Sequence, residues 1–192
     1  EDISLDDVFA HVNKNVLIRG QWRVRQGSMS NSEYDEMLEE KVLPELEELK
    51  NRCKDEGLLL PKAVYGYFPC RSEGNDLIIY KNDMKTERLR FTFPRQDHGQ
   101  KLCISDFFSD EEPDVVAMQI ATVGRKASKY SKELFENDKY TDYLYFHGLS
   151  VESAEGAAEV VHKRIRQELG FGDEDAKEVE KLFQQGYRGT RY

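Results

Sequence analysis

Apolar residues recur at helical spacing through the first third of the chain, residues 1–56. Within this part we predict helices over residues 5–22 and 33–54, because the apolar positions of each segment fall on one helical face. Pro44 lies inside the second pattern and should kink that helix, since a proline removes one backbone hydrogen bond and crowds the preceding turn. The outer face of this second segment is largely acidic, which is typical of a solvated surface.

The period changes to that of β-strands between residues 61 and 123. Short segments there alternate apolar and polar residues or run apolar, and "RSEGND" (71–76) supplies the residues that a hairpin turn needs. Segment 114–124, "DVVAMQIATVG", is nearly all apolar, so we predict a central strand there. Helices followed by strands and then by helices favour an α+β fold with a twisted antiparallel β-sheet flanked by helices.

The last part, residues 125–192, returns to helical spacing. Apolar steps of three and four cover residues 138–169 without a break. We therefore predict one long helix that continues through Gly148, although a glycine inside a helix costs about 1 kcal/mol relative to alanine. Its apolar stripe is expected to be buried at Ala154, Ala158, Val161 and Ile165.

A polar stripe runs beside the apolar stripe of this long helix, formed by Glu152, Glu155, Glu159, His162 and Arg166. Three interpretations are open. The plainest is a solvent-exposed face with pairs of opposite charge four residues apart. The Glu159-x-x-His162 spacing is that of a di-iron ligand pair, but such sites need a second Glu-x-x-His and the sequence has none. In the third interpretation one carboxylate, Glu155, faces a cleft and binds a cationic ligand.

Composition narrows the classes of function. The chain has 192 residues, 39% hydrophobic and 34% charged, which predicts one domain with a well-solvated surface. A net charge of −9 argues against a nucleic-acid partner, and no apolar run is long enough to span a membrane. No leader sequence is visible, and Cys53, Cys70 and Cys103 lack the spacing of a zinc site or a disulfide framework. We therefore expect a cytoplasmic protein with free thiols, without a metal site or catalytic side chains.

Seven sequence blocks, taken in order, resemble the activation domain of cobalamin-dependent methionine synthase. Each block is short, but together they cover nearly the whole chain. The blocks are "RGQW" (19–22), "VYGYFPC" (64–70) with "EGNDLIIY" (73–80), "RFTFPRQ" (90–96), "LCISDFF" (102–108), "VVAMQIATVG" (115–124), "AEGAAEVVHKRIR" (154–166) and "GYRGTR" (186–191).

This resemblance implies a domain that binds S-adenosylmethionine and presents its methyl group to cob(II)alamin during a one-electron reduction, which restores methylcobalamin for methyl transfer to homocysteine. Cobalamin would be bound mainly by another module of the same protein, and the electron would come from a flavodoxin-type donor. The implied class is that of a methyltransferase domain, and the isolated chain is not expected to be catalytic by itself. Because cobalt is the nucleophile and the sulfonium carries its own leaving group, positioning suffices and no protein acid or base is needed.

The resemblance also implies three contacts to S-adenosylmethionine. Glu155 corresponds to a family glutamate that lies seven residues before the histidine of the "HKRIR" block, here His162. Arg191 corresponds to the arginine of an R-x-x-x-G-Y-P segment. A family aspartate in the N-terminal region corresponds to Asn13, or in another alignment to Lys14, and asparagine keeps the hydrogen-bonding shape of aspartate without its charge.

The G-Y-P of that segment does not follow Tyr192, so we expect residues 1–192 to be a single activation domain that lacks its C-terminal end. Two alternatives are a free-standing activation-like module that serves another corrinoid protein and a structural docking domain without ligand. Docking on an acidic electron donor or on the cobalamin module would need a local basic patch. We expect that patch to consist of Arg88, Arg90, Arg125, Lys126 and Lys129.

Overall fold

The computed structural model describes residues 2–184, 186 and 187. These residues form two compact units. One, called here the helical unit, contains the described residues of 1–64 and 120–192, and the other, the sheet unit, contains residues 65–119.

The N-terminal part of the helical unit consists of short helical segments. They are α1 (Leu5–Ala10), a π-helical segment (Val16–Gln21), α2 (Asn31–Met37), a second π-helical segment (Leu38–Val42) and α3 (Leu43–Asp55). The predicted single helix over residues 5–22 is therefore wrong, because the chain leaves helical geometry at residues 11–13. Asn13 lies in that interruption, and its side-chain Oδ1 accepts a hydrogen bond from the Val16 backbone N at 3.2 Å. Such local side-chain bonding competes with a continuous helix.

The second predicted helix is present as the continuous run of α2, the π-helical segment and α3. Its start is fixed by a capping box between Ser30 and Glu33. Pro44 lies at the start of α3, and because the helical run is continuous there, the proline removes one backbone N–H donor from it. The π-helical segment directly before it takes up the irregularity that the sequence predicted as a kink.

The C-terminal part of the helical unit is dominated by one long helix. Its elements are α4 (Arg125–Glu136), α5 (Tyr140–Glu168), a 3₁₀ turn (Gly172–Glu174) and α6 (Val179–Phe183). The predicted long helix through Gly148 is confirmed, and Gly170 follows it with a φ of 86°, the left-handed conformation that commonly ends helices. None of the described helices is long and apolar enough to cross a bilayer.

The burial predicted for α5 is only half right. Val161 and Ile165 are buried as expected, whereas Ala154 and Ala158 are only half-buried. The small residues of α5 that are fully buried include Ser153 and Ala157. The core of the helical unit includes the completely buried Phe146 and Leu149.

The sheet has four antiparallel strands in the order β3-β2-β1-β4, and the α+β class is confirmed. The strands are β1 (Lys62–Glu73), β2 (Asp76–Tyr80), β3 (Glu87–Thr92) and β4 (Asp114–Thr122). A two-residue turn joins β1 to β2, and its first residue, Gly74, has a φ of 59° that suits glycine. The prediction that residues 114–124 form a central strand is wrong: β4 lies at an edge, and Ile120 is 71% exposed. The most buried strand is β2, with Leu77, Ile78 and Ile79 at 2–4% exposure.

Candidate functional site

Two glycines of α5 allow other segments of the helical unit to approach its backbone closely. A β-carbon added to Gly148 would lie 2.8 Å from Cβ of Gln21, and one added to Gly156 would lie 2.7 Å from the carbonyl oxygen of Val8. Both distances are shorter than van der Waals contact allows. Gly148 therefore gives room to the end of the first π-helical segment, and Gly156 gives room to α1.

Glu152 lies midway between these two glycines, four residues from each. Since residues four apart share one helical face, Glu152 points at the same closely packed segments. It is only 5% exposed, and its Oε1 accepts a hydrogen bond of 3.2 Å from Nε2 of Gln21. Trp22 follows Gln21 in the chain and fixes its position. The indole N–H of Trp22 donates a hydrogen bond to the Tyr145 carbonyl at 3.0 Å, and its ring stacks on that of Tyr145.

A cleft of about 300 Å³ opens beside Glu152. It brings together two of the three residues predicted for ligand binding, Asn13 and Glu155. Glu155 is exposed at the cleft, and Asn13 is half-buried. The third, Arg191, lies outside the described residues. The residues that line the cleft are His11, Asn13, Val16, Gln21, Val151, Glu152, Glu155 and Phe183.

The electrostatics of this cleft favour a cation. Glu152 and Glu155 are one helical turn apart, and neither lysine nor arginine occurs among the residues that line it in the described part of the chain. Burial raises the pKa of the Glu152 carboxyl, and the neighbouring Glu155 charge raises it further, while the hydrogen bond from Gln21 acts in the opposite direction. A bound cation would compensate both carboxylates.

The interpretation of the polar stripe as a solvent-exposed face is wrong for four of its five members. Glu152, Glu159, His162 and Arg166 are all buried, and only Glu155 is exposed. The helix is therefore covered by protein on its polar side as well. Within the described residues, no group of three or more His, Cys, Asp and Glu side chains has a metal-binding arrangement.

The family model for the activation domain of vitamin B12 dependent methionine synthase matches residues 16–192. The chain belongs to this family. Methionine synthase of Mycobacterium tuberculosis is 38% identical over an alignment of 208 positions, gaps included, and that of Mycobacterium leprae is 36% identical over the same length; each alignment covers 99% of the chain. The chain spans only 17% of the length of either relative.

A solved structure has the same fold as this activation domain. It is the crystal structure of the MetH reactivation domain bound to AdoHcy, with a TM-score of 0.81 and 19% sequence identity. The match covers the whole of this chain and 62% of the other.

A second cavity, of about 520 Å³, adjoins the cleft in this activation domain. Asn13 and Phe183 line both, so the two spaces share a border. The larger cavity has a mixed lining that includes the Phe9 ring and the side chains of Lys50 and Lys54. Three lysines line this cavity: Lys50 is paired with Glu47, Lys54 is paired with Asp6, and the third is Lys14, the alternative to Asn13 in the sequence analysis.

The chain after α5 is attached to that helix by buried polar contacts. Arg166 forms an ion pair with Asp175, and the His162 ring meets the Tyr187 ring edge to face with centroids 4.9 Å apart. A backbone hydrogen bond of 2.8 Å from Ala176 N to the Gly186 carbonyl closes this segment. These contacts fix the start of the "GYRGTR" block against α5.

Glu152 and Gln21, which are hydrogen-bonded to each other at the cleft, were not predicted from the sequence to contact a ligand. Glu152 was considered only as a member of the polar stripe, whose interpretation stayed open, and Gln21 only within the "RGQW" block. The sequence does contain a signal: Gly148, Glu152 and Gly156 are spaced by four residues and so share one helical face, and glycines on such a face allow other segments to approach closely.

Proposed function

We propose that this chain binds S-adenosylmethionine in the cleft beside α5 and serves as the reductive-activation domain of a cobalamin-dependent methionine synthase. The observation that carries the proposal is that Asn13 and Glu155, far apart in sequence, line one cleft of acidic character. Membership of the activation-domain family and the AdoHcy-bound structure of the same fold support it.

The chemistry of the ligand fits the cleft. S-adenosylmethionine carries a sulfonium and an ammonium group, which carboxylates attract, and a carboxylate, which an arginine would bind in a fork geometry. Glu155 is the proposed contact of the ammonium, Asn13 supplies an amide for hydrogen bonding, and Arg191 is the proposed contact of the ligand carboxylate. The protein's role is to hold the methyl group in position, since sulfonium is already an activated leaving group.

Cobalamin, held by another part of the same protein, would supply the cobalt that accepts the methyl group. A reduced flavodoxin-type protein would supply the electron. Within such a protein the chain belongs to a methyltransferase, although by itself it provides binding only. The relatives are methionine synthases about six times as long as the match, in keeping with further modules. The buried free thiols of Cys53, Cys70 and Cys103 suit a reducing cytoplasm.

The contacts of the five residues proposed for the docking patch reduce the number that can serve in it. Arg90 is already surrounded by three carboxylates, those of Glu73, Asp76 and Glu87, so its charge is compensated locally. Arg125 and Lys129 are exposed and four residues apart on α4. We propose these two residues as a basic docking patch on the helical unit.

Calorimetric titration of the chain with S-adenosylmethionine tests the proposal. We expect saturable binding at one site, weakened by Glu155→Gln by about the 1.5–3 kcal/mol of a hydrogen bond to a charged group. Glu133→Gln, which changes an exposed glutamate of α4, is the matched control and should leave binding unchanged. A chain that binds no S-adenosylmethionine would favour the alternative of a docking domain without ligand.

A further inference from the structure

We infer that Glu152 is a second carboxylate contact for the ligand and that it recognises the sulfonium, so that the cleft prefers S-adenosylmethionine to its demethylated product S-adenosylhomocysteine. This inference rests on the proposed function, because it concerns the same cleft. It adds a residue that distinguishes the two ligands by charge.

Glu152 differs from Glu155 in its position in the cleft. It lines the cleft together with Glu155 and Asn13, but unlike Glu155 it is almost completely buried. The close approach permitted by Gly148 and Gly156 places it on the inner wall, and the hydrogen bond from Gln21 fixes the carboxyl group there. A negative charge at a buried, fixed position acts on a ligand more strongly than one on a mobile surface side chain.

The two cationic groups of the ligand differ in what they need. An ammonium has three N–H donors and is best satisfied by a carboxylate at an exposed position, where water can take the remaining donors. A sulfonium has no donor and requires only a nearby negative charge. Glu155 therefore suits the ammonium, and Glu152, with Gln21 already bonded to one oxygen and little access for water, suits the sulfonium.

Burial also explains why the ionisation of the Glu152 carboxyl depends on a positive charge beside it. Its pKa is raised by desolvation, so its ionised form is costly in the free protein. A sulfonium beside it would offset that cost, whereas the neutral thioether of the product would not. The remaining ionisable group of the cleft is His11, whose Nδ1 lies 2.8 Å from the Asp7 carbonyl oxygen.

The experiment compares the two ligands on three proteins by calorimetry at one pH near neutrality: the wild-type chain, Glu152→Gln and Glu155→Gln. For Glu152→Gln we expect about tenfold weaker binding of S-adenosylmethionine, the change that about 1.4 kcal/mol produces, with unchanged binding of S-adenosylhomocysteine. For Glu155→Gln both ligands should bind more weakly, because both carry the ammonium. Circular dichroism checks that each variant is folded, and Glu152→Asp, which keeps the charge, should retain part of the preference.

The inference is overturned if Glu152→Gln weakens the binding of both ligands equally or changes the binding of neither. If only the result expected for Glu152→Gln is not observed, the proposed function still stands, because the wild-type chain and Glu155→Gln test the proposed function separately. Failure of the wild-type chain to bind either ligand would overturn the proposed function and this inference with it.

Discussion

Arg166 holds Asp175 through two hydrogen bonds, from Nε to Oδ2 at 2.5 Å and from the Nη2 group to Oδ1 at 2.6 Å. The two side chains are only 7% and 8% exposed. The guanidinium also lies over the rings of Phe171 and Tyr187, 4.7 and 5.2 Å from their centroids. One buried arginine thus holds the chain that follows α5 at Phe171, Asp175 and Tyr187.

Asp175→Asn should destabilise the protein by about 3–5 kcal/mol, because removing one partner of a buried ion pair leaves the other charge uncompensated. Urea denaturation followed by circular dichroism measures the change. Glu178→Gln is the control, since it breaks the pair that Glu178 forms with Lys181, whose side chains are 61% and 63% exposed. That exposed pair should contribute less than about 1 kcal/mol. Equal effects of the two substitutions would contradict the structural role of Asp175.

Gly156→Ala should lower the stability although alanine is the better helix former. Helix propensity alone predicts a gain of about 1 kcal/mol. The added β-carbon would lie 2.7 Å from the Val8 carbonyl oxygen, so α1 must move away, and overpacking of this kind costs about 1–3 kcal/mol. The sign of the change in the urea midpoint therefore decides between the two effects. A more stable variant would show that α1 does not pack closely at this point.

The stability of the chain should fall with rising pH because of Glu152. Its raised pKa means that the folded state binds a proton more tightly than the unfolded state. The free energy of unfolding therefore decreases as pH rises from the ordinary glutamate pKa through the raised one. Glu152→Gln cannot titrate, so the variant should gain stability relative to the wild type across that window.

Urea unfolding of the wild type and of Glu152→Gln at several pH values between about 4 and 8 measures the difference in their free energies of unfolding. This range extends from the ordinary pKa of glutamate to above neutrality. The groups that face Glu152 are Glu155 on the same helix, the neutral amide of Gln21, and His11 across the cleft. Glu155→Gln should preserve most of the pH dependence, because burial is the largest cause of the shift and the Glu155 charge a smaller one. A difference between wild type and Glu152→Gln that does not vary with pH would contradict the assignment.

Asn13→Asp should strengthen the binding of S-adenosylmethionine. An aspartate at this position can still accept the hydrogen bond from Val16 N, and it adds a negative charge to a cleft proposed to hold a cation. A gain of about 1 kcal/mol, roughly fivefold in the dissociation constant, is reasonable for a partly exposed charge. Titration of Asn13→Asp against Asn82→Asp, an exposed asparagine of the sheet unit, is the comparison. Weaker binding by Asn13→Asp would mean that this residue does not face the cationic part of the ligand.

The apolar period of the sequence was sufficient to predict the type of most elements. It correctly predicted α5 through Gly148, because a sustained pattern of three- and four-residue steps outweighs the local cost of one glycine. It failed at residues 5–22, where the apolar face continues across two separate segments that pack into the same core, and at β4, where an apolar composition did not mean a central position. Periodicity reports which residues share a face, but it does not report where the chain breaks or which strand ends at an edge.

The sequence by itself determined the α+β class, the long helix and membership of the activation-domain family, because these depend on local pattern and on blocks of residues in a fixed order. Only the tertiary structure decided which members of the polar stripe are buried. Gln21 and Glu152 are 131 residues apart, and their contact exists because two glycines let distant segments approach one helix. The environment of a carboxylate, and with it its pKa and its use in binding, depends on such neighbours, which no local pattern along the chain contains.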